Sequence, residues 1–204
     1  MNHEGTSIIS VGEDKIIKQW IYPNDEQQLS LMEYEPISTV LGKSVFLGVD
    51  HHWNEPTFAT CGDKVDIWDE TRSEPMQSFT WGVDSIGCIK FNPIEYSILA
   101  TTGSDRTIAL YDIRQSSPLR KVILSMKSNS LSWNPMEAFS FTVANEDSNL
   151  YSFDMRRLDR PVNVHMDHVM AVLGVDYSPT GKEFVSGSFD KTIRIFKMDS
   201  GQYS

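Results

Sequence analysis

The chain has few of the features that mark secreted, membrane or disulfide-stabilised proteins. It contains only two cysteines, Cys61 and Cys88, in 204 residues, which is too few for a disulfide scaffold. Its first residues mix charged and apolar side chains, so no secretory signal is predicted. No apolar run approaches the length of about 20 residues that a membrane helix needs. These absences favour a reducing compartment and argue against a membrane location.

Motifs for catalysis are also missing. There is no glycine-rich phosphate loop, no Gly-x-Ser-x-Gly turn and no His-Glu-x-x-His pair. We therefore predict no enzyme activity, no cofactor and no small-molecule substrate, although a fold by itself excludes no activity.

Positive charge is scarce in the first part of the chain. The net charge is −10, and residues 1–80 hold 14 acidic but only 5 basic side chains. A broad phosphate-binding surface needs clustered Lys and Arg. Protein partners are therefore favoured over direct nucleic-acid binding.

What the sequence does contain is one pattern repeated five times: a turn aspartate, an apolar residue, and an aromatic three places later. The instances are Asp14…Ile17…Trp20, Asp63…Val65…Trp68, Asp105…Ile108…Tyr111, Asp147…Leu150…Phe153 and Asp190…Ile193…Phe196. The aromatics lie 48, 43, 42 and 43 residues apart. A period of about 40–45 residues is typical of WD40 β-propeller blades.

A second motif recurs with the same period and marks the positions of turns. It consists of Phe91-Asn92-Pro93, Trp133-Asn134-Pro135 and Tyr177-Ser178-Pro179. Because proline cannot donate to a strand ladder, each belongs in a turn. In the third unit this predicts strands at Ile86–Phe91, Ile98–Thr102, Thr107–Tyr111 and Lys121–Ser125. A β-sandwich has equally short strands, but it predicts no repetition in phase.

The fold class predicted is therefore all-β, a WD40 β-propeller in an incomplete arc of about four to five blades, with almost no helix. Ser7–Val11 and Ile16–Ile21 are predicted as strands of a partial first blade at 5–35. Four further blades are expected at about 36–80, 81–126, 127–167 and 168–204. An open arc exposes two sheet edges, so we expect the isolated chain to self-associate unless missing blades or a partner cover them.

The repeated residues are predicted to be structural. The five aspartates recur once per blade, which a catalytic pair has no reason to do, and an Asp side chain can accept backbone N–H bonds in a tight turn. The aromatics, including Trp20 and Trp68, are expected in the core. In WD40 repeats a histidine at the position of His168 commonly hydrogen-bonds toward the turn aspartate, here Asp190, with Ser186 between them. Phe196 replaces the tryptophan that would complete this network.

Metal binding is the alternative for the histidines. His51-His52 with Cys61, or His165-x-x-His168, supplies too few ligands for a four-ligand pattern. No metal site is predicted, and a solvated His168 remains the other alternative.

Two aromatics are followed by Asp-x-Arg: Tyr111-Asp112-Ile113-Arg114 and Phe153-Asp154-Met155-Arg156. Trp68-Asp69-Glu70-Thr71-Arg72 is a looser third case. In WD40 proteins the aromatic-Asp-x-Arg spacing resembles the box that docks onto the propeller adaptor of cullin-4 ubiquitin ligases. Arginine suits an interface because its rigid fork binds carboxylates and carbonyls. The alternative is a local Asp–Arg pair that stabilises a loop.

Several longer phrases are more specific than a generic WD40 repeat. They are His51-His52-Trp53, Phe58-Ala59-Thr60-Cys61-Gly62, Val65-Asp66-Ile67-Trp68-Asp69-Glu70, Trp133-Asn134-Pro135-Met136-Glu137-Ala138-Phe139 and His165-Met166-Asp167-His168-Val169. With them the chain resembles the WD-repeat and Sof-domain protein family, the cullin-4-associated WD40 factors of the small-subunit processome. The resemblance runs from about Gly5 to Phe196.

The resemblance implies a nuclear, nucleolar scaffold in small-subunit ribosome biogenesis and pre-rRNA processing. The partners it implies are processome proteins and, through them, a box C/D small nucleolar ribonucleoprotein and pre-rRNA. The alternative function is substrate receptor of a cullin-4 RING ubiquitin ligase. The family's further blades and its basic Sof segment are absent from these residues. Asp112, Arg114, Asp154 and Arg156 match the adaptor box and are the predicted protein-binding residues.

Overall fold

The computed structural model describes residues 4–22, 35–80 and 85–200, which form five antiparallel sheets. The first sheet contains β1 (Ser7–Val11), β2 (Ile16–Ile21) and β3 (Ser38–Leu41), and the second contains β4 (Phe46–His51), β5 (Thr57–Gly62), β6 (Val65–Asp69) and β7 (Gln77–Phe79). The third contains β8 (Ile86–Phe91), β9 (Ile98–Gly103), β10 (Thr107–Asp112) and β11 (Pro118–Ile123). The fourth contains β12 (Ser128–Trp133), β13 (Ser140–Asn145), β14 (Asn149–Asp154) and β15 (Asn163–Met166), and the fifth contains β16 (Val172–Tyr177), β17 (Glu183–Ser188) and β18 (Ile193–Lys197).

Within each sheet the strands pair in chain order, each antiparallel to its neighbour. The second, third and fourth sheets have four strands, as the repeat predicts for a blade. The all-β prediction is confirmed, and the series of sheets is that of a partial propeller. Over the described ranges, the only helical element is a 3₁₀ turn at Met198–Ser200.

The first strand of the second to fifth sheets carries the same irregularity near its start. The register shifts lie between Phe46 and Gly48, Ile86 and Cys88, Ser128 and Ser130, and Val172 and Gly174. A bulge leaves one residue unpaired and increases the local twist. These four strands also pack beside one another in order, β4 on β8, β8 on β12 and β12 on β16. They are therefore the inner strands of the series.

Strand pairing brings the five repeat aromatics to equivalent positions. Each lies opposite one residue of the second strand: Ile8↔Trp20, Phe58↔Trp68, Leu99↔Tyr111, Phe141↔Phe153 and Phe184↔Phe196. The last four aromatics are buried, while Trp20 in the first sheet is half-buried.

Each buried aromatic packs against the sheet that precedes its own. Tyr111 shares a core cluster with Ala59 and Ile67 of the second sheet. Phe153 packs with Ile108 and Leu110 of the third sheet, and the same relation holds for Trp68 and Phe196. The core is therefore a set of layers between successive sheets, each supplied by both neighbours.

The fifth sheet has apolar side chains at the same strand positions, but among the described residues no further sheet packs over them. Ile193 and Ile195 are 79% and 72% exposed. Their equivalents in the third sheet, Ile108 and Leu110, are buried against the fourth sheet. Burial of such side chains is favourable by roughly 25 cal/mol per Å². The expected self-association stays a prediction.

The blade limits stay predictions, and the pairing of β3 bears on the first of them. β3 pairs with β2 through Ile16↔Leu41 and Ile17↔Val40, so a limit at 35 separates a strand from its own sheet. We propose that the first unit extends to Gly42. The limit at 81 lies outside the described residues.

Among residues 4–22, 35–80 and 85–200, no helix is long and apolar enough to cross a membrane.

The layered core predicts that an interior aromatic matters more for stability than its equivalent in the first sheet. Phe153→Ala should lower the free energy of unfolding by about 3–5 kcal/mol, because it leaves a cavity between two sheets. Trp20→Ala, at the same strand position but half-buried, should cost distinctly less. Urea unfolding followed by circular dichroism measures both. Equal losses for the two variants would contradict the account.

Candidate functional site

The two aromatic-Asp-x-Arg boxes lie at the ends of equivalent strands, β10 and β14. The backbone N–H of Arg114 donates to Asp112 Oδ1 at 2.9 Å. The N–H of Arg156 donates to Asp154 Oδ1, also at 2.9 Å. Each aspartate therefore closes the turn that follows its strand, which is the local structure expected of an Asp side chain bonding the backbone two residues on.

The same carboxylates hold the arginines in a two-pronged pair. In both boxes Nη2 lies 2.6 Å from Oδ2, and Nε lies 2.9 Å or 3.0 Å from Oδ1. The side chains of Arg114 and Arg156 are 71% and 60% exposed, whereas those of Asp112 and Asp154 are 3% and 21% exposed. The hydrogen bond from its arginine holds the pKa of each aspartate below its usual range.

The looser third motif, which begins at Trp68, shows that the aspartate and the arginine have separate roles. In the second sheet, Thr71 stands where the boxes have arginine, and its N–H donates to Asp69 Oδ1 at 2.8 Å. Its hydroxyl donates to the same oxygen. Arg72 follows one residue later and is exposed. The turn thus forms without an arginine, so the guanidinium groups of the boxes are not required to close it.

Both boxes lie at one end of the sheets, which we call the arginine end. It carries the connections from first to second and from third to fourth strands. The two kinds of connection adjoin, because Ile113 N–H donates to Ser97 O at 2.9 Å and Met155 N–H to Phe139 O at 2.8 Å. Arg156 also lies over the ring of Phe139, 4.1 Å from its centroid, a cation–π contact.

The residues beneath the boxes are rigidly packed. Ile108, Leu110 and Leu150 are buried, at 2% exposure or less. Both arginines are therefore exposed at the same end of neighbouring sheets, on strands anchored in the core. An exposed, oriented guanidinium on a rigid frame is suited to binding carboxylates or carbonyls of another molecule.

Four of the five turn aspartates share one geometry, at the end of the sheets opposite to the arginine end. Their Oδ1 atoms accept the N–H two residues on, and the residue between has a positive φ. The pairs are Asp14 with Ile16 (3.1 Å), Asp105 with Thr107 (3.0 Å), Asp147 with Asn149 (3.0 Å) and Asp190 with Thr192 (2.8 Å). The strained residues are Lys15, Arg106, Ser148 and Lys191, with φ between 64° and 73°. The side-chain bond stabilises a left-handed turn residue without glycine.

Asp63 differs from the other four. Its hairpin is shorter, because Cys61 pairs with Val65, whereas Thr102 pairs with Ile108 in the third sheet. Asp63 is exposed and makes no such bond within the described ranges. A shorter hairpin reverses the chain without a left-handed residue. No backbone N–H is therefore placed to donate to the Asp63 carboxylate.

His168, Ser186 and Asp190 lie together in the fifth sheet. His168 Nδ1 lies 2.9 Å from Asp190 Oδ2, and Nε2 lies 2.7 Å from Ser186 Oγ. The His168 side chain has no exposed surface. Hydrogen bonds from Thr192 first, and also from His168, hold the pKa of Asp190 well below its usual range. Phe196 packs against the imidazole at 6.1 Å between ring centroids, in place of the predicted network's tryptophan.

Trp20 and Trp68 each donate to a hydroxyl of the neighbouring strand. Trp68 Nε1 donates to Thr60 Oγ1 at 2.9 Å, and Trp20 Nε1 donates to Ser10 Oγ at 2.8 Å. Each bond satisfies the one polar atom of a large apolar ring.

The sequence patterns did not predict a buried polar network that lies between the fourth and fifth sheets. Thr142 Oγ1 lies 2.6 Å from Tyr177 OH and 2.8 Å from Ser152 Oγ, which in turn lies 3.1 Å from His165 Nε2. Burial raises the pKa of Tyr177 to about 12 and lowers that of His165. His165 thus belongs to a buried hydrogen-bonded network. Within the described ranges, no three His, Cys, Asp or Glu side chains are grouped to hold a metal.

Asn92 and Asn134 were also missed, and here the sequence held a signal. Asn92 Nδ2 donates to Ala138 O at 2.6 Å, and Asn134 Nδ2 donates to Gly181 O at 3.0 Å. Each amide therefore links its sheet to the next. Both asparagines directly precede the proline of a repeated turn, and this position is their signal in the sequence.

The sequence of this chain is similar to those of several known proteins. A model of the "WD domain, G-beta repeat" family matches residues 159–197, which contain β15 and the three strands of the fifth sheet. The chain is 63% identical over 197 residues to "DDB1- and CUL4-associated factor 13" of Xenopus tropicalis and 61% identical over 202 residues to the Homo sapiens protein of that name. "Protein SOF1" of Saccharomyces cerevisiae is 46% identical over 202 residues.

These alignments cover nearly all of this chain but less than half of each relative. They span 97% of the chain and 44% of the two factor 13 proteins, and 95% of the chain and 41% of Protein SOF1. The relatives therefore contain more sequence than the part compared.

The geometry predicts different effects of the two box residues on stability. Asp112→Ala should cost about 1–2 kcal/mol, because it leaves the N–H that closes the turn without its acceptor. Arg114→Ala should leave the free energy of unfolding nearly unchanged, since the second sheet closes the same turn with Thr71. Chemical unfolding of both variants tests this. A loss for Arg114→Ala as large as that for Asp112→Ala would show that the pair acts as one structural unit.

Proposed function

We infer, because the chain is a WD40-repeat homologue of DDB1- and CUL4-associated factor 13 and of Protein SOF1, that it is a non-catalytic scaffold segment in small-subunit ribosome biogenesis. The observation that carries this is the 46% identity to Protein SOF1 over 95% of the chain. The frame fits a scaffold, because layered sheets hold rigid loops at two ends and leave both ends exposed to partners.

The partners proposed are proteins of the small-subunit processome. Through them the chain would act with a box C/D small nucleolar ribonucleoprotein on pre-rRNA, in the nucleolus. A net charge of −10 supports indirect rather than direct contact with RNA, because phosphate binding depends on clustered positive charge. WD40 scaffolds generally lack catalysis, and the absence of enzyme activity stays a prediction.

A second function is supported by the two boxes. We propose that Asp112, Arg114, Asp154 and Arg156 form a docking surface for the cullin-4 adaptor DDB1, which the names of the relatives contain. The arginines are exposed at one end of neighbouring sheets, while their aspartates close the turns that orient them. Receptor and scaffold roles are compatible, because a propeller segment has separate ends and a rim.

The adaptor role predicts a selective loss of binding. Arg114→Ala combined with Arg156→Ala should weaken capture of purified DDB1 by about tenfold or more, since truncating interface arginines removes charge-assisted bonds. Arg106→Ala is the matched control, because Arg106 immediately precedes β10, at the end opposite to Arg114. Thermal melting should show that all variants fold.

The two functions separate in the same variants. Sedimentation with pre-ribosomal particles should be unchanged in the double variant if other surfaces serve the scaffold role. Unchanged DDB1 capture would remove the adaptor proposal. Loss of sedimentation with intact folding would instead assign these arginines to the processome.

A further inference from the structure

An apolar cleft opens beside the second box, between the third and fourth sheets. It has a volume of about 410 Å³ and is lined by Ile98, Leu110, Leu119, Arg120, Met155 and Arg156. Ile98 and Leu110 are buried core residues, at 7% and 2% exposure, whereas Leu119 on the outermost strand is 39% exposed. The cleft is therefore an opening of the core layer at the arginine end.

The only charged groups that line the cleft are two guanidiniums. Arg156 is paired with Asp154, and Arg120 Nη1 donates to the carbonyl oxygen of Arg156. Among the described residues, Arg120 has no carboxylate partner. Its positive charge therefore remains available at the mouth of an apolar cavity.

The local charge contrasts with the rest of the chain. Five of the eight arginines lie between residues 114 and 160, in a chain of net charge −10. They are Arg114, Arg120, Arg156, Arg157 and Arg160, and all five are exposed. Two of the five, Arg120 and Arg156, line the cleft, and exposed positive charge at its mouth is complementary to an acidic partner.

We propose that this cleft binds an apolar side chain of a partner protein, flanked by carboxylates that meet Arg120 and Arg156. The proposal rests on the proposed docking role of the arginine end and assigns Leu119 and Arg120, which lie outside both boxes, to the interface. Arginine is enriched at interface hot spots, where a central side chain is desolvated in a pocket. The charge at the mouth sets which flanking residues are accepted.

The chemistry of the lining favours a protein segment over a small molecule. The lining offers no carboxylate, amide or hydroxyl side chain, so little would orient a polar ligand within it. A peptide needs only an anchor for one apolar side chain, and its own flanking residues supply the ionic contacts.

The test uses fluorescently labelled peptides with the full 204-residue chain. One peptide has a central leucine between glutamates, a second has alanine in place of the leucine, and a third has lysines in place of the glutamates. Fluorescence anisotropy should show the first binding at least about tenfold more tightly than the other two. Equal affinities for the three peptides would overturn the proposal.

Two variants locate the binding. Leu119→Asp should weaken the leucine peptide by about tenfold or more, whereas Ile123→Asp should not; Ile123 lies on the same strand, is 58% exposed and is outside the cleft. Arg120→Glu should reverse the flank preference, so that the lysine peptide binds better than the glutamate peptide. Because Arg120→Glu should gain binding to one peptide, misfolding cannot imitate it.

Purified DDB1 separates this proposal from the adaptor role. If the chain distinguishes the peptides as expected but does not bind DDB1, the cleft proposal holds and the adaptor role fails. If DDB1 binds but neither Leu119→Asp nor Arg120→Glu changes peptide binding, the cleft proposal fails. If Ile123→Asp and Leu119→Asp weaken binding of the glutamate peptide equally, the cleft proposal would also be overturned.

Discussion

The packing of each sheet against the one before it is the interaction on which the rest of this structure depends. A short sheet with two apolar faces cannot bury both alone, so each must lie between neighbours. Here the third-strand aromatic supplies one side of each layer, as Tyr111 does against the second sheet and Phe153 against the third. Because the sheets are held in the same orientation, equivalent loops meet at the same end. Two boxes that are 42 residues apart in sequence thereby become one surface.

Within that surface, the aspartate and the arginine of each box have different roles. The aspartate satisfies a backbone N–H and ends the strand, as Asp112 does for Arg114. The arginine is then oriented by a carboxylate that is itself fixed, so little side-chain freedom is left to lose on binding. Thr71 shows that the turn tolerates another residue at this place. Folding therefore does not require an arginine at this position. We assign docking to the arginines and folding to the aspartates.

Sequence alone predicted the repeating parts well, because they carry strong local patterns. The strands Ser7–Val11, Ile16–Ile21 and Ile86–Phe91 have the predicted bounds. The outermost strand of the third sheet was predicted at Lys121–Ser125 but runs from Pro118 to Ile123, since a strand with one exposed face has a weak hydrophobic pattern. The network of Thr142 with Tyr177 and the cleft beside Leu119 could not be predicted, because both depend on how two sheets meet.

The claim that the arginine end is the docking surface is tested most directly by oxidative footprinting of two methionines. Met136 lies at the arginine end and is 66% exposed, and Met170 lies at the opposite end and is 48% exposed. Their oxidation rates in the free chain serve as the reference for those in its complex with DDB1. The account predicts that the partner protects Met136 and leaves Met170 unchanged. Protection of Met170 with full oxidation of Met136 would contradict it.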